Sequence, residues 1–116
     1  MPRFARNLID NEVYHIVDRG NNKQVVFSKQ QDYKAFVDIM FSVKQKILVK
    51  IYAFCLMPNH FHVVLTSADG RDISRWVHRI LTSHANRYHR HYKSCGHIWQ
   101  GRFKNFMIQD DIQLKY

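Results

Sequence analysis

Apolar positions recur along the chain with two different periods. The run Glu12 to Asp18 (Glu-Val-Tyr-His-Ile-Val-Asp) is rich in β-branched and aromatic residues and stops at Arg19-Gly20-Asn21-Asn22, which predicts a strand closed by a turn. From about Lys29 to Lys46, Tyr33, Phe36, Val37, Met40 and Phe41 recur at helical spacing, with Ser28 as the expected N-cap. Ile47 to Leu56 and Phe61 to Thr66 read as two more strands, separated by Met57-Pro58-Asn59. Between Asp72 and about Tyr92, Ile73, Trp76, Val77, Ile80, Leu81, His84, Ala85 and Tyr88 form the apolar stripe of a second helix. Arg71, Arg75, Arg79 and Arg90 lie largely off that stripe. Ser94-Cys95-Gly96 stops the helix. Ile98 to Ile108 alternates as a fourth strand, and Asp110-Asp111 suits the positive end of a last helix dipole.

The order β-α-β-β-α-β predicts an α+β fold on the ferredoxin-like plan, an antiparallel sheet with both helices on one face. The other sheet face is then free to carry a site. Tyr14, Tyr33 and Tyr52 fall on core-like stripes, and Cys55 reads as buried packing. Tyr88, Tyr92 and Tyr116 are the candidates for exposed hydroxyls.

Length and composition narrow the function. With 116 residues and only four Gly and two Pro, residues 1–116 read as a single domain without a linker. No stretch approaches the roughly 18 apolar residues of a membrane span, and no apolar run follows the N-terminal charges, so neither a membrane partner nor a secretory signal is expected. Two cysteines are too few for a disulfide scaffold, which makes a reduced, cytoplasmic setting the expectation. Eighteen Lys and Arg against nine Asp and Glu give a net charge of +9. A small basic domain attracts phosphate backbones, although a merely soluble basic protein has the same count.

Two segments concentrate chemistry. In Pro58-Asn59-His60-Phe61-His62-Val63, residues i and i+2 of a strand share a face at roughly 7 Å along the backbone. His60 and His62 can therefore converge on one divalent ion while Phe61 and Val63 enter the core. Two satisfied histidines on a half-buried strand are the alternative, because two ligands do not complete a site. A third carboxylate or amide ligand with waters would suit Mg²⁺ or Mn²⁺. A second His-x-His, His89-Arg90-His91, falls on a helix, where i and i+2 diverge. It reads as a basic surface. The other segment, Gly96-His97-Ile98-Trp99-Gln100-Gly101-Arg102-Phe103-Lys104, offers rings for unpaired bases and cations for phosphate. Trp99 could equally be core. No Gly-rich phosphate loop or serine elbow is present.

Taken together, Met1-Pro2-Arg3, Tyr14-His15-Ile16-Val17-Asp18-Arg19-Gly20-Asn21-Asn22, Tyr52 to His62 and Gly96 to Lys104 resemble the single-tyrosine transposases of the HUH endonuclease superfamily, especially the group associated with repetitive extragenic palindromes. The resemblance spans nearly the whole chain in order. It implies a DNA transposase that cuts and rejoins single-stranded DNA beside a hairpin. A tyrosine forms a 5′-phosphotyrosine link, assisted by a divalent metal ion, Mg²⁺ or Mn²⁺. Carried over by position, His60 and His62 match the metal dyad. Arg19, Arg75, Arg79, Arg102, Lys104 and Trp99 are the candidate DNA contacts. A prokaryotic, nucleoid-associated substrate follows, and both a homodimer and a monomer stay open as assemblies. The family places its tyrosine in a helix beyond the Gly-Arg-Phe-Lys strand, with a polar metal ligand one turn later. Tyr116 fills the nucleophile's place only if the intervening segment is shorter than usual. The expectation is therefore a domain lacking most of its tyrosine helix. A catalytically incomplete hairpin-binding module is the alternative, and an RNA-binding sheet a weaker third.

Overall fold

A computed structural model describes residues 8–108. The elements are β1 (Val13–Arg19), α1 (Gln30–Lys44), β2 (Lys50–Met57), β3 (His60–Thr66), α2 (Gly70–Tyr92) and β4 (Lys104–Ile108), with a short 3-10 turn at Asn21–Lys23. The strands form one sheet in the order β2-β3-β1-β4. Each neighbouring pair is antiparallel. This is the ferredoxin-like arrangement expected from the sequence.

Alternation along the central strands fixes the two faces. Tyr14 and Ile16 of β1 and Phe61, Val63 and Leu65 of β3 are buried. They meet Phe36, Met40 and Val43 of α1 and Ile73, Trp76, Val77 and Ile80 of α2. Trp76 Nε1 donates to Met40 O at 3.1 Å, so one buried indole both fills and stitches the helix layer. Because successive strand residues point to opposite faces, His15 and Val17 of β1 and His60 and His62 of β3 stand on the face away from the helices.

Several local expectations are corrected. Helix α1 begins after Lys29, and the residue that ties off its start is Asp32, whose Oδ2 accepts from Ser28 N (2.8 Å) and Lys29 N (3.2 Å). Ser28 is not the cap. Tyr52 and Cys55 are exposed rather than buried, because β2 is an edge strand, with an irregularity between Ile51 and Ala53. Tyr92 is half-buried and its hydroxyl donates to Asp32 Oδ2 at 2.6 Å. The fourth strand is shorter than expected. Residues 98–100 run beside the end of β1 through Gly20↔Trp99 pairing, and β4 itself starts at Lys104. The helix expected from Asp110 lies outside the described residues.

Candidate metal and DNA site

The β2–β3 turn that presents the histidines is held from outside. Pro58 O accepts from Val26 N (2.8 Å) and Phe27 N (3.1 Å), and Asn59 O accepts from Gly20 N (2.8 Å). The segment after β1 thus clamps the turn by main-chain bonds, which do not depend on a flexible side chain. Gly20 has no room for a side chain there: a Cβ would lie 2.2 Å from Gln24 O and 2.9 Å from Val26 Cγ1.

On this platform the rings of His60 and His62 lie 5.1 Å apart at 82°. Asn59 Oδ1 is 2.8 Å from His60 Nδ1. A carbonyl oxygen only accepts, so Nδ1 carries the proton and Nε2 keeps its lone pair. His62 Nδ1 is 2.9 Å from Nε2 of His15, which reaches over from β1. Among the described residues, neither His60 nor His62 has an Nε2 hydrogen bond. Burial, then the neighbouring His15 and His60, hold the pKa of His62 below its ordinary 6.5. A neutral imidazole is the form that ligates a metal. The donor set therefore fits a divalent ion. No group of three or more His, Cys, Asp or Glu among the described residues could hold one by itself. Further ligands would have to come from water, substrate or the rest of the chain.

Cations stand beside the dyad. Arg19 faces His60 across β1 and β3. Val17 pairs with His62 on one side and Lys104 on the other, which puts Lys104 two strands, about 10 Å, from His62. Arg19, Arg102 and Lys104 line one cleft of ≈ 290 Å³ together with Val17, Asp18, Gln100 and Gly101.

The other sequence-derived candidates lie elsewhere. Arg75 and Arg79 are exposed on α2, in the layer that packs on the opposite face, and Arg75 bonds Asp72 at 3.2 Å. Trp99 is 8% exposed and packs against Phe27, Phe36, Phe61 and His84. Of its two readings the structure gives the core one, and its ring offers no open stacking face. His89 closes the end of α2 through Ser94 Oγ (2.9 Å) and Gly96 O (2.7 Å). Tyr116 lies outside the described residues. Sequence reasoning did not single out Asn59 or His15. Asn59 adjoins the His-x-His and has the chemistry of a tautomer-setting neighbour. His15 becomes visible only once β1 and β3 are in register.

The family profile described as "Transposase IS200 like" matches residues 9–115. The chain belongs to the IS200-like transposases. Among solved structures, it superposes on a REP-associated tyrosine transposase bound to a REP hairpin with a TM-score of 0.73 at 20% identity, over 99% of this chain and 67% of that one. A transposase-like protein from Deinococcus radiodurans R1 gives 0.70 at 16% identity, over 99% of this chain and 92% of that one. At these identities the likeness establishes the shared fold. No curated protein matches in sequence. No helix among the described residues is long and apolar enough to cross a membrane.

Proposed function

We propose that this IS200-like transposase domain cleaves and rejoins hairpin-bearing single-stranded DNA through a tyrosine, with His60 and His62 holding a divalent ion, Mg²⁺ or Mn²⁺. The observation that carries the reading is the pair of ring nitrogens, His60 Nε2 and His62 Nε2, free of hydrogen bonds among the described residues, beside a cleft lined by Arg19, Arg102 and Lys104. When bound, such an ion polarises a phosphate oxygen. Arg19, Arg102 and Lys104 attract the DNA backbone and orient the phosphate towards the dyad. The helices cover the other sheet face, so the strand runs over the open one.

The nucleophile is a tyrosine of the C-terminal segment, for which Tyr116 is the candidate in this chain. Its oxygen bonds to phosphorus as the bond to the 3′ oxygen breaks. The 3′ oxygen leaves as a hydroxyl and the 5′ end stays on the tyrosine. The bond energy is kept in the phosphotyrosine, so rejoining needs no nucleotide cofactor. The structural relative is bound to a REP hairpin, which supports a hairpin as the partner class.

The test is a denaturing gel of the chain with labelled hairpin DNA and Mn²⁺. A covalent adduct is expected, lost in Tyr116→Phe and in the double variant His60→Ala, His62→Ala. An adduct that survives loss of both histidines overturns the metal assignment, and one that survives Tyr116→Phe overturns the nucleophile. An adduct formed only by a version extended at the C-terminus moves the nucleophile beyond Tyr116, and no adduct from either, with salt-sensitive hairpin binding retained, replaces catalysis by a binding module.

A further inference from the structure

We propose that His15 is a positioning residue for the metal site: it accepts the Nδ1 proton of His62 and so keeps the Nε2 lone pair of His62 available to the ion. The inference rests on the metal reading above and deepens it.

The argument is one of proton placement. A neutral imidazole has one N–H, and an N–H nitrogen cannot ligate. The proton of His60 is already settled, because Asn59 Oδ1, 2.8 Å from Nδ1, is a pure acceptor. His62 has no such partner. Its Nδ1 is 2.9 Å from another imidazole nitrogen, His15 Nε2, and the single proton between them has two placements. If it sits on His15, then His62 carries its own proton on Nε2 and the dyad has one usable nitrogen. If it sits on His62 Nδ1, then both Nε2 atoms are lone pairs, on rings whose centres are 5.1 Å apart. Rings so spaced are near enough for both lone pairs to serve one ion. In the second arrangement His15 carries its proton on Nδ1 and acts only as an acceptor.

The surroundings suit that role. His15 sits mid-strand in β1, paired with Val64 on one side and Phe106 on the other. Its ring lies 6.0 Å from that of Phe106 and 5.1 Å from that of His62. The strand fixes its Cα and the neighbouring rings restrict its swing. Ligating histidines commonly have a hydrogen-bond partner on the non-ligating nitrogen, and losing that partner weakens metal binding about 10–100-fold. Here one histidine of the dyad has an amide for this purpose and the other has a third histidine.

The experiment is long-range ¹H–¹⁵N NMR of the metal-free chain near pH 8, paired with Mn²⁺ titration followed by EPR. In the wild type, His62 should carry its proton on Nδ1. In His15→Ala that proton should move to Nε2 and Mn²⁺ affinity should fall about 10–100-fold, with backbone spectra keeping the native fold. His15→Gln, whose amide oxygen can accept, should restore both. It also serves if His15→Ala does not fold. A wild-type His62 protonated on Nε2 overturns the inference. So does Mn²⁺ affinity unchanged in His15→Ala, or EPR couplings showing His15 itself as a third ligand. A wild-type chain that binds no Mn²⁺ overturns the metal reading and this inference with it. A wild-type chain that binds no more tightly than His15→Ala overturns the inference alone.

Discussion

Arg19 and His60 stand opposite each other on β1 and β3, so a cation sits one strand away from the dyad. Opposed residues in an antiparallel pair have Cβ atoms about 4.5–5.5 Å apart, close enough for one phosphate to meet both. Replacing Arg19, Arg102 and Lys104 with Gln should therefore weaken hairpin binding and flatten its salt dependence. The slope of log affinity against log salt should fall by about 0.7 for each single-strand phosphate that is no longer neutralised. Replacing Arg75 and Arg79 on α2 should leave the slope unchanged. A slope that moves only with the α2 pair would put the DNA on the helical side.

Asp32 ties the helix layer together. It is fully buried and accepts from Arg87 (2.5 Å) and Tyr92 (2.6 Å) of α2 as well as from the main chain at Ser28 and Lys29. Burial pushes its pKa up, but the bonds from Arg87, Tyr92, Ser28 and Lys29 outweigh it and bring the value to about 2. The unfolded carboxyl titrates near 3.8, so the unfolded chain binds more protons between the two values. Stability from this group is complete above about pH 5 and is lost as pH falls through about 2, a contribution of about 2 kcal/mol. Asp32→Asn turns an acceptor into a donor that faces donors. It should cost about 3 kcal/mol in urea unfolding and remove this group's share of the stability loss between about pH 5 and pH 2. An unchanged midpoint would show that the network contributes nothing net.

What the sequence disclosed, and what it hid, divides along physical lines. The order of elements was legible because burial imposes period 2 on β1 and β3 and period 3.6 on α2. The dyad was legible because i and i+2 on a strand share a face whatever the fold. Exposure of Tyr52 and Cys55 was not, because an edge strand has the same residue pattern as a central one until strand order is known. The role of Asp32 was hidden because its partners Arg87 and Tyr92 are distant in sequence. His15 was hidden for the same reason: its relation to His62 exists only through the register of β1 on β3. Trp99 could be weighed from sequence only as stacking ring or core, and its aromatic neighbours decided for the core.

His84 adds a second acid sensitivity, at a higher pH. It is fully buried among Phe27, Phe36 and Trp99, with Nε2 3.0 Å from Val26 O. Burial lowers its pKa to about 4 against an ordinary 6.5. Between those values the unfolded histidine takes up a proton that the folded one refuses, so stability falls as pH drops from about 6.5 towards 4. Melting temperature should decline across that window. His84→Gln, uncharged and still able to donate to Val26 O, should start from a lower melting temperature but lose the decline. A His84→Gln curve parallel to the wild type between pH 6.5 and 4 would assign the decline to other groups.

Gly20 links the fold to the dyad through the turn it holds. Its N–H bonds Asn59 O at 2.8 Å, and the neighbouring Val26 and Phe27 bond Pro58 O. The backbone at Gly20 has φ −61°, which any residue can adopt, so the constraint is space rather than conformation. In Gly20→Ala the new methyl would meet Gln24 O at 2.2 Å. The loop must move, and with it the clamp on the turn that carries Asn59 and His60. Reduced freedom in the unfolded chain favours alanine by about 0.4–1 kcal/mol. Overpacking of this kind costs about 1–3 kcal/mol and wins. The variant should unfold at lower urea, and its Mn²⁺ affinity should fall because the Asn59–His60 bond is displaced. Gly20→Ala with wild-type stability would mean that the loop yields freely. Lost stability with Mn²⁺ affinity intact would mean that the clamp serves the fold without aligning the histidines.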